Sequence, residues 1–200
     1  MAYNDFTLHK LRQQFGLNIR EVASLFAGIA EVEPPPLLAA LLDRQTPLAL
    51  KLNTEKAKSE LLIAPVLLEL KFGLKDRISF FSGIDFPVDP AAGLTGRCDF
   101  LLARDPSQLD LNAPVCVVVE AKNENIIAGI PQAIAEMVAA RRFNEQAGAP
   151  IDPIYGVVTT GLDWRFLKLQ GDAASVEDVE YPIQFAGKIF GILTAMALGE

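Results

Sequence analysis

The sequence has few of the residues that form zinc sites and disulfide frameworks. It contains two cysteines, Cys98 and Cys116, and a single histidine, His9. The cysteines lie in separate apolar segments and form neither a C-x-x-C motif nor a cluster with histidine, so we expect no structural zinc site and no disulfide-stapled fold. Both cysteines are expected to be buried, reduced thiols.

The sequence also lacks a long apolar run. The longest one near the C-terminus, residues 189–198, is interrupted by Gly191, and it is far shorter than the roughly 20 residues that span a bilayer. The first residues do not show the basic and then apolar pattern of a secretory signal. We therefore expect a soluble, cytoplasmic protein with no membrane partner.

Positive charge is scarce. Lysine and arginine together number 18, against 25 aspartates and glutamates, which gives a net charge of −7 at pH 7. Because phosphates are neutralised by clustered basic side chains, this balance argues against a general nucleic-acid-binding protein. It leaves room for a local basic groove, or for a homodimer or a partner subunit that supplies basic surface.

The sequence also lacks the motifs of phosphate-binding loops and of serine or cysteine nucleophiles. No glycine-rich phosphate loop follows a predicted strand, and no serine or cysteine nucleophile has an obvious histidine partner. Half of the residues are hydrophobic, which is enough to bury the core of one α/β domain.

Hydrophobic periodicity divides the chain at about residue 52. Residues 1–52 are expected to form a helical N-terminal extension, with a helix over 5–15 that ends at Gly16 and a break at the prolines of 34–36. Residues 53–200 are expected to form the main domain. It begins with a helix over 53–72 that Pro65 should kink or split and Gly73 should end.

The main domain has the pattern of a mixed α/β fold. Strands are predicted at 78–86, 96–103, 114–122, 154–160 and 164–169. Helices are predicted at 126–146, with Pro131 acceptable only in the first turn, and at 181–198. The third strand, the long helix and the fourth strand can form one βαβ crossover, so we expect a mixed β-sheet flanked by helices.

Three charged residues stand at the ends of two neighbouring predicted strands. Asp99 lies in the second strand, while Glu120 and Lys122 follow the apolar run VCVVV that forms the third. Two residues apart on a strand, Glu120 and Lys122 leave the same face of the sheet. A buried Asp99–Lys122 salt bridge would be the structural alternative, but it leaves Glu120 without a role.

Two carboxylates and an ammonium at one sheet edge have a chemical use. Carboxylate oxygens are the ligands that Mg²⁺ prefers, and Mn²⁺ can take its place in the same site. A metal held there would offset charge on a phosphate, and Lys122 could hold the attacking water and stabilise developing negative charge.

This ordered set resembles the PD-(D/E)XK nuclease superfamily, which includes the restriction endonucleases. Asp99 matches the superfamily aspartate, and Glu120-Ala121-Lys122 matches its (D/E)-x-K element. The segment KSELLIAPVLLEL, with Glu60, is similar to the helix that opens the N-terminal nuclease domain of type I restriction enzyme R subunits. Gln132 matches a glutamine on the helix after the motif. The resemblance covers roughly residues 53–170, and Cys98 stands where the superfamily pattern often has proline.

The resemblance implies a restriction-endonuclease-like fold and a magnesium-dependent nuclease. Metal ligands would be Asp99, Glu120, the carbonyl of Ala121 and, through water or the outer shell, Glu60. Lys122 would position the water and Gln132 would support it. The alternatives without a catalytic role are that Glu60 lies on a solvated helix face and that Gln132 caps its helix or faces solvent.

The expected partner is nucleic acid, with DNA as the first expectation, although the sequence does not separate DNA from RNA. The alternative function is a catalytically inactive binding or assembly module that keeps the nuclease fold. The net charge favours that alternative.

Overall fold

The fold is built on one mixed sheet. A computed structural model describes all 200 residues. The eight strands are β1 (Asn18–Val22), β2 (Ser79–Asp85), β3 (Arg97–Ala103), β4 (Val115–Ala121), β5 (Ile154–Thr159), β6 (Asp163–Gln170), β7 (Ala173–Glu177) and β8 (Tyr181–Pro182). Seven strands follow the order β1-β7-β6-β5-β4-β3-β2, while β8 pairs with the start of β6. The β1–β7 and β4–β5 pairs are parallel, and the other pairs are antiparallel.

Helices cover both faces of this open sheet. They are α1 (Leu8–Phe15), α2 (Pro36–Leu52), α3 (Glu55–Lys58), α4 (Ala64–Leu74), α5 (Ile126–Gln146) and α6 (Ala186–Leu198). One core packs α2, α4 and α6 against side chains such as Val117 and Val119. The other core packs α1 and α5 against side chains such as Val118 and Val158. From Val117 to Val119, successive residues of β4 therefore enter opposite cores, as the two-residue period of a strand requires.

The predicted crossover is confirmed. The strand β4, the long helix α5 and the strand β5 follow one another, and β4 and β5 pair in parallel from Val117–Tyr155 to Ala121–Thr159. The five predicted strands are all present within two residues of their expected ends. Pro131 differs from expectation, because it lies in the second turn of α5 and not in the first.

Residues 1–52 are not purely helical. The segment Asn18–Val22, which the sequence analysis left without a strand, is β1 at one edge of the sheet, and it pairs with β7, which was also not predicted. The apolar periodicity is weak in both segments, for different reasons. The edge strand β1 is only partly buried, whereas β7 is buried but has the sequence AASVE, in which Val176 is the only large apolar residue. Tyr3 and Leu11 belong to the same core as α5, so this N-terminal segment is packed into the sheet domain.

Residues 55–74 form one helical run with a break in its pattern. A π-helical turn, Ser59–Ile63, joins α3 to α4, and the N–H of Ala64 donates to the carbonyl of Ser59. Pro65 follows at once. Proline has no N–H to donate, so the regular helical hydrogen bond cannot form at residue 65. The π-helical turn lies directly before it, where the sequence predicted a kink or split of the helix. Gly73 does not end the helix; the chain leaves it one residue after Leu74, at Lys75, whose φ is +47°.

None of these helices combines the length and the apolar character that crossing a bilayer would require.

Candidate functional site

The site lies where β3 and β4 separate. Their ladder ends at the Phe100–Val119 pair. Beyond it, the side chain of Asp99 replaces the next backbone partner, and its Oδ2 accepts a hydrogen bond from the N–H of Ala121 at 2.8 Å. The carboxylate of Asp99 is thereby fixed beside the end of β4, as the sequence analysis expected for these two strand ends.

Glu120, Lys122 and Gln132 are joined by hydrogen bonds. The ammonium of Lys122 donates to Oε1 of Glu120, with which it forms an ion pair. It also lies 3.2 Å from Oε1 of Gln132 on α5. The stem of Lys122 passes over Gly129, where a Cβ would come within 3.0 Å of Cγ of Lys122. A residue without a side chain at 129 is what lets α5 approach the end of β4 so closely.

Glu136 extends this network and was missed by the sequence analysis. The Nε2 of Gln132 donates to Oε1 of Glu136 at 3.1 Å, one helical turn along α5. Glu136 has no exposed surface, and its Oε2 has no hydrogen-bond partner. A signal was present in the sequence, because Glu136 is the only charged residue in the apolar run 133–140 and stands four residues after Gln132.

The carboxylates influence one another's protonation. The pKa of Glu120 is raised to about 7, first by burial and then by the charge of Asp99, against the opposing effect of Lys122. Burial also raises the pKa of Glu136 well above its ordinary value, and the charge of Glu120 adds to this. Burial acts to lower the pKa of Lys122, but the charge and hydrogen bond of Glu120 outweigh it, so its pKa is raised. Lys122 is therefore a cation at neutral pH.

Two open cavities flank Asp99. The first, of about 380 Å³, lies between β2, β3 and the helical run 55–74, and Ala121 is part of its wall. The second, of about 400 Å³, is lined by Glu120, Lys122 and Gln132. Both cavities share Glu55, Arg97 and Asp99. Asp99 thus stands between a solvent-accessible cleft and the buried carboxylates.

Glu60 stands apart from the two central carboxylates. It lines the first cavity but not the second, its side chain is 62% exposed, and it forms a salt bridge with Lys56 at 2.7 Å. The solvated-face alternative therefore describes Glu60 well. Glu55, five residues earlier, lines both cavities, and its charge acts on Glu120 and Lys122. The sequence did not single out Glu55, because it reads as an ordinary acidic residue in a first turn.

The donor set for a metal comprises two central carboxylates. Asp99 has one oxygen occupied by the Ala121 N–H, and Glu120 has a buried Oε2 with no hydrogen-bond partner. No group of three or more His, Cys, Asp or Glu side chains is arranged to hold a metal ion. Two oxygen donors fit a Mg²⁺ ion that keeps several of its waters and takes further ligands from a phosphate. They do not fit a metal held by protein side chains alone.

No protein-family model matches the chain, and a search of curated proteins returned no match.

Proposed function

We propose that this chain is a magnesium-dependent nuclease with a restriction-endonuclease-like fold of the PD-(D/E)XK type. The observation that carries the proposal is the meeting of Asp99, Glu120, Lys122 and Gln132 at one end of β3 and β4. The mixed sheet flanked by helices and the β4–α5–β5 crossover are consistent with it.

Asp99, Glu120 and the carbonyl of Ala121 would hold the metal. Mg²⁺, or Mn²⁺ in its place, would supply Lewis-acid chemistry toward the scissile phosphate. The orphaned Oε2 of Glu120 supports this assignment, because a buried carboxylate oxygen without a partner is costly unless something binds it. Glu60 is proposed only as an outer contact at the exposed rim.

Lys122 would act as a fixed cation and not as a general base. Its raised pKa keeps it protonated, and its contacts with Glu120 and Gln132 fix the ammonium of a residue that lines the second cavity. From there it can orient a water and offset the negative charge that develops on phosphate oxygens in the transition state. Oε1 of Gln132 accepts a hydrogen bond from this ammonium and limits its movement.

The substrate class is nucleic acid, with DNA proposed first. The open, polar cavities suit an extended phosphodiester chain better than a small enclosed ligand. A second copy of the chain, or a partner subunit, could contribute basic surface that this acidic chain has little of.

Cleavage of DNA by wild type and two variants tests the proposal. With Mg²⁺ or Mn²⁺, Asp99→Asn and Lys122→Ala are expected to lose at least about 10²-fold in kcat, the usual loss when a group that stabilises transition-state charge is removed. The exposed Asp178→Asn and Lys51→Ala are matched controls that should retain wild-type rates. Gel-based assays on plasmid, single-stranded DNA and RNA would measure this, and equal rates in all five proteins would refute the site.

A second candidate is a binding or assembly module that keeps this fold without turnover. The observation that favours it is that no third acidic side chain is arranged with Asp99 and Glu120 to hold a metal ion. It predicts no cleavage of any nucleic acid and no Mn²⁺ bound at this pair in millimolar metal, which a crystallographic anomalous signal would decide.

A further inference from the structure

Three cations line the two cavities beside Asp99, and only one has no partner. Lys56 forms a salt bridge with Glu60, and Lys122 forms one with Glu120. Arg97 lines both cavities, is exposed, and takes part in none of the four salt bridges of the chain. In a chain of net charge −7, a free guanidinium beside several carboxylates is a group available for an anion.

The pairing of β2 with β3 determines the surroundings of the Arg97 side chain beside Asp99. Arg97 lies opposite Asp85 on β2, and the same register places Gly83 at the level of Asp99. The guanidinium reaches diagonally over Gly83, where a Cβ would meet Nη2 at 2.9 Å and Nε at 3.3 Å. Gly83 has a φ of +61°, a conformation that other residues rarely adopt. Because Gly83 has no side chain, the guanidinium can lie directly over its backbone. In this position Arg97 lines both cavities.

We propose that Arg97 binds a backbone phosphate of the DNA next to the scissile one. This inference rests on the proposed nuclease function. A guanidinium offers two parallel N–H donors that match phosphate oxygens, and a salt-bridged lysine beside it cannot offer the same fork. Arg97 and Asp99 line the same two cavities, so a phosphate bound by Arg97 would be a neighbour of the reacting one. The contact is made by the substrate in the ground state and in the transition state alike.

Kinetics of Arg97→Ala on labelled duplex and single-stranded DNA test the inference. A contact kept throughout the reaction changes KM and leaves kcat unchanged. We expect KM to rise about tenfold, the loss of one charge-assisted hydrogen bond, with kcat changed by less than about twofold. The slope of log(kcat/KM) against log salt should become shallower by about 0.9 on duplex or about 0.7 on single strands, which identifies a phosphate contact. Arg97→Lys should recover the slope and only part of the KM.

Arg77→Ala is the matched control, because Arg77 is also exposed and free of salt bridges but lies before the far end of β2. It should leave KM and the salt slope at wild-type values. If wild type cleaves DNA and Arg97→Ala equals Arg77→Ala in both quantities, the inference is wrong and the nuclease proposal stands. If wild type cleaves neither DNA nor RNA with any divalent metal, both proposals are wrong. If it cleaves only RNA, the inference about DNA is wrong and the nuclease proposal stands.

Discussion

At the scale of single residues, the site is distinguished by buried acidic side chains. Glu120 and Glu136 are buried on the α5 side of the sheet, and each keeps one carboxylate oxygen without a hydrogen-bond partner. Lys122 forms an ion pair with Glu120, whereas Glu136 has only the amide of Gln132. A buried carboxyl without a cation is most stable as the neutral acid, so Glu136 makes the folded state sensitive to pH.

Glu136→Gln should change how stability depends on pH. Because the folded-state pKa of Glu136 is raised above the unfolded value, its favourable contribution is present at low pH and is lost as the pH rises through the folded pKa. Wild type should therefore lose stability relative to Glu136→Gln between about pH 5 and about pH 8. Urea unfolding at both pH values measures the difference, with the exposed Glu145→Gln as control. Parallel pH profiles for wild type and Glu136→Gln would contradict the assignment.

Residue patterns in the sequence predicted part of this site. Asp99, Glu120 and Lys122 were found because charged groups at strand ends stand out against apolar runs, and Gln132 was found through the superfamily resemblance. The structure brings these four together. Glu55 and Arg97 were not found. Their part in the cavities depends on how the helical run 55–74 and β2 lie beside β3, which is tertiary information that local spacing does not contain.

At the scale of elements, the closeness of α5 to β4 and β5 controls the position of Lys122. The helix is held there through Gly129, which faces Val158 on β5 and the stem of Lys122. The same analysis explains which elements the sequence could predict. Strands in the middle of the sheet have long apolar runs, whereas β1 and β7 have short, mixed sequences and are recognised only through their pairing.

Gly129→Ala should disturb the site through this contact. Its Cβ would meet Cγ1 of Val158 at 2.6 Å and Cγ of Lys122 at 3.0 Å. We expect overpacking to cost about 1–3 kcal/mol in unfolding free energy and the displaced Lys122 to lower kcat for DNA cleavage. Gly73→Ala is the matched control, since a Cβ there meets nothing within 4 Å, and it should stabilise the protein by about 0.5–1 kcal/mol. Similar unfolding curves for both variants would contradict this prediction, because they would show that α5 shifts enough to accommodate a Cβ at residue 129 without loss of stability.

At the scale of the whole molecule, the first 52 residues contribute to both cores. Leu11 of α1 is fully buried in the core shared with α5, and Leu38 of α2 is fully buried in the core shared with α4 and α6. The N-terminal boundary near residue 52 is therefore a change in sequence pattern, across which the packing is continuous. Periodicity reports which residues are apolar but not which segment they pack against, so it could not reveal this.

Leu11→Ala tests that continuity. Removing a fully buried leucine side chain should cost about 2–5 kcal/mol of the free energy of unfolding, and denaturation should remain one transition with an unchanged slope. Leu37, which is 59% exposed, provides the control, because Leu37→Ala should stay within about 0.5 kcal/mol of wild type. Circular dichroism in urea measures both. A separate early transition in Leu11→Ala would instead identify the N-terminal segment as an independent unit.

The parallel pairing of β1 with β7 has a consequence for how the chain is made. Residues 18–22 leave the ribosome about 150 residues before their only partner strand, Ala173–Glu177. The hairpin-like neighbours β2, β3 and β4 can pair as soon as they emerge, since they adjoin one another in sequence. The segment that becomes β1 therefore keeps its backbone groups unpaired until residues 173–177 have been made. The exposed charged side chains of Arg20 and Glu21 protect this segment during the delay, because charge on an unpaired strand discourages association with other chains.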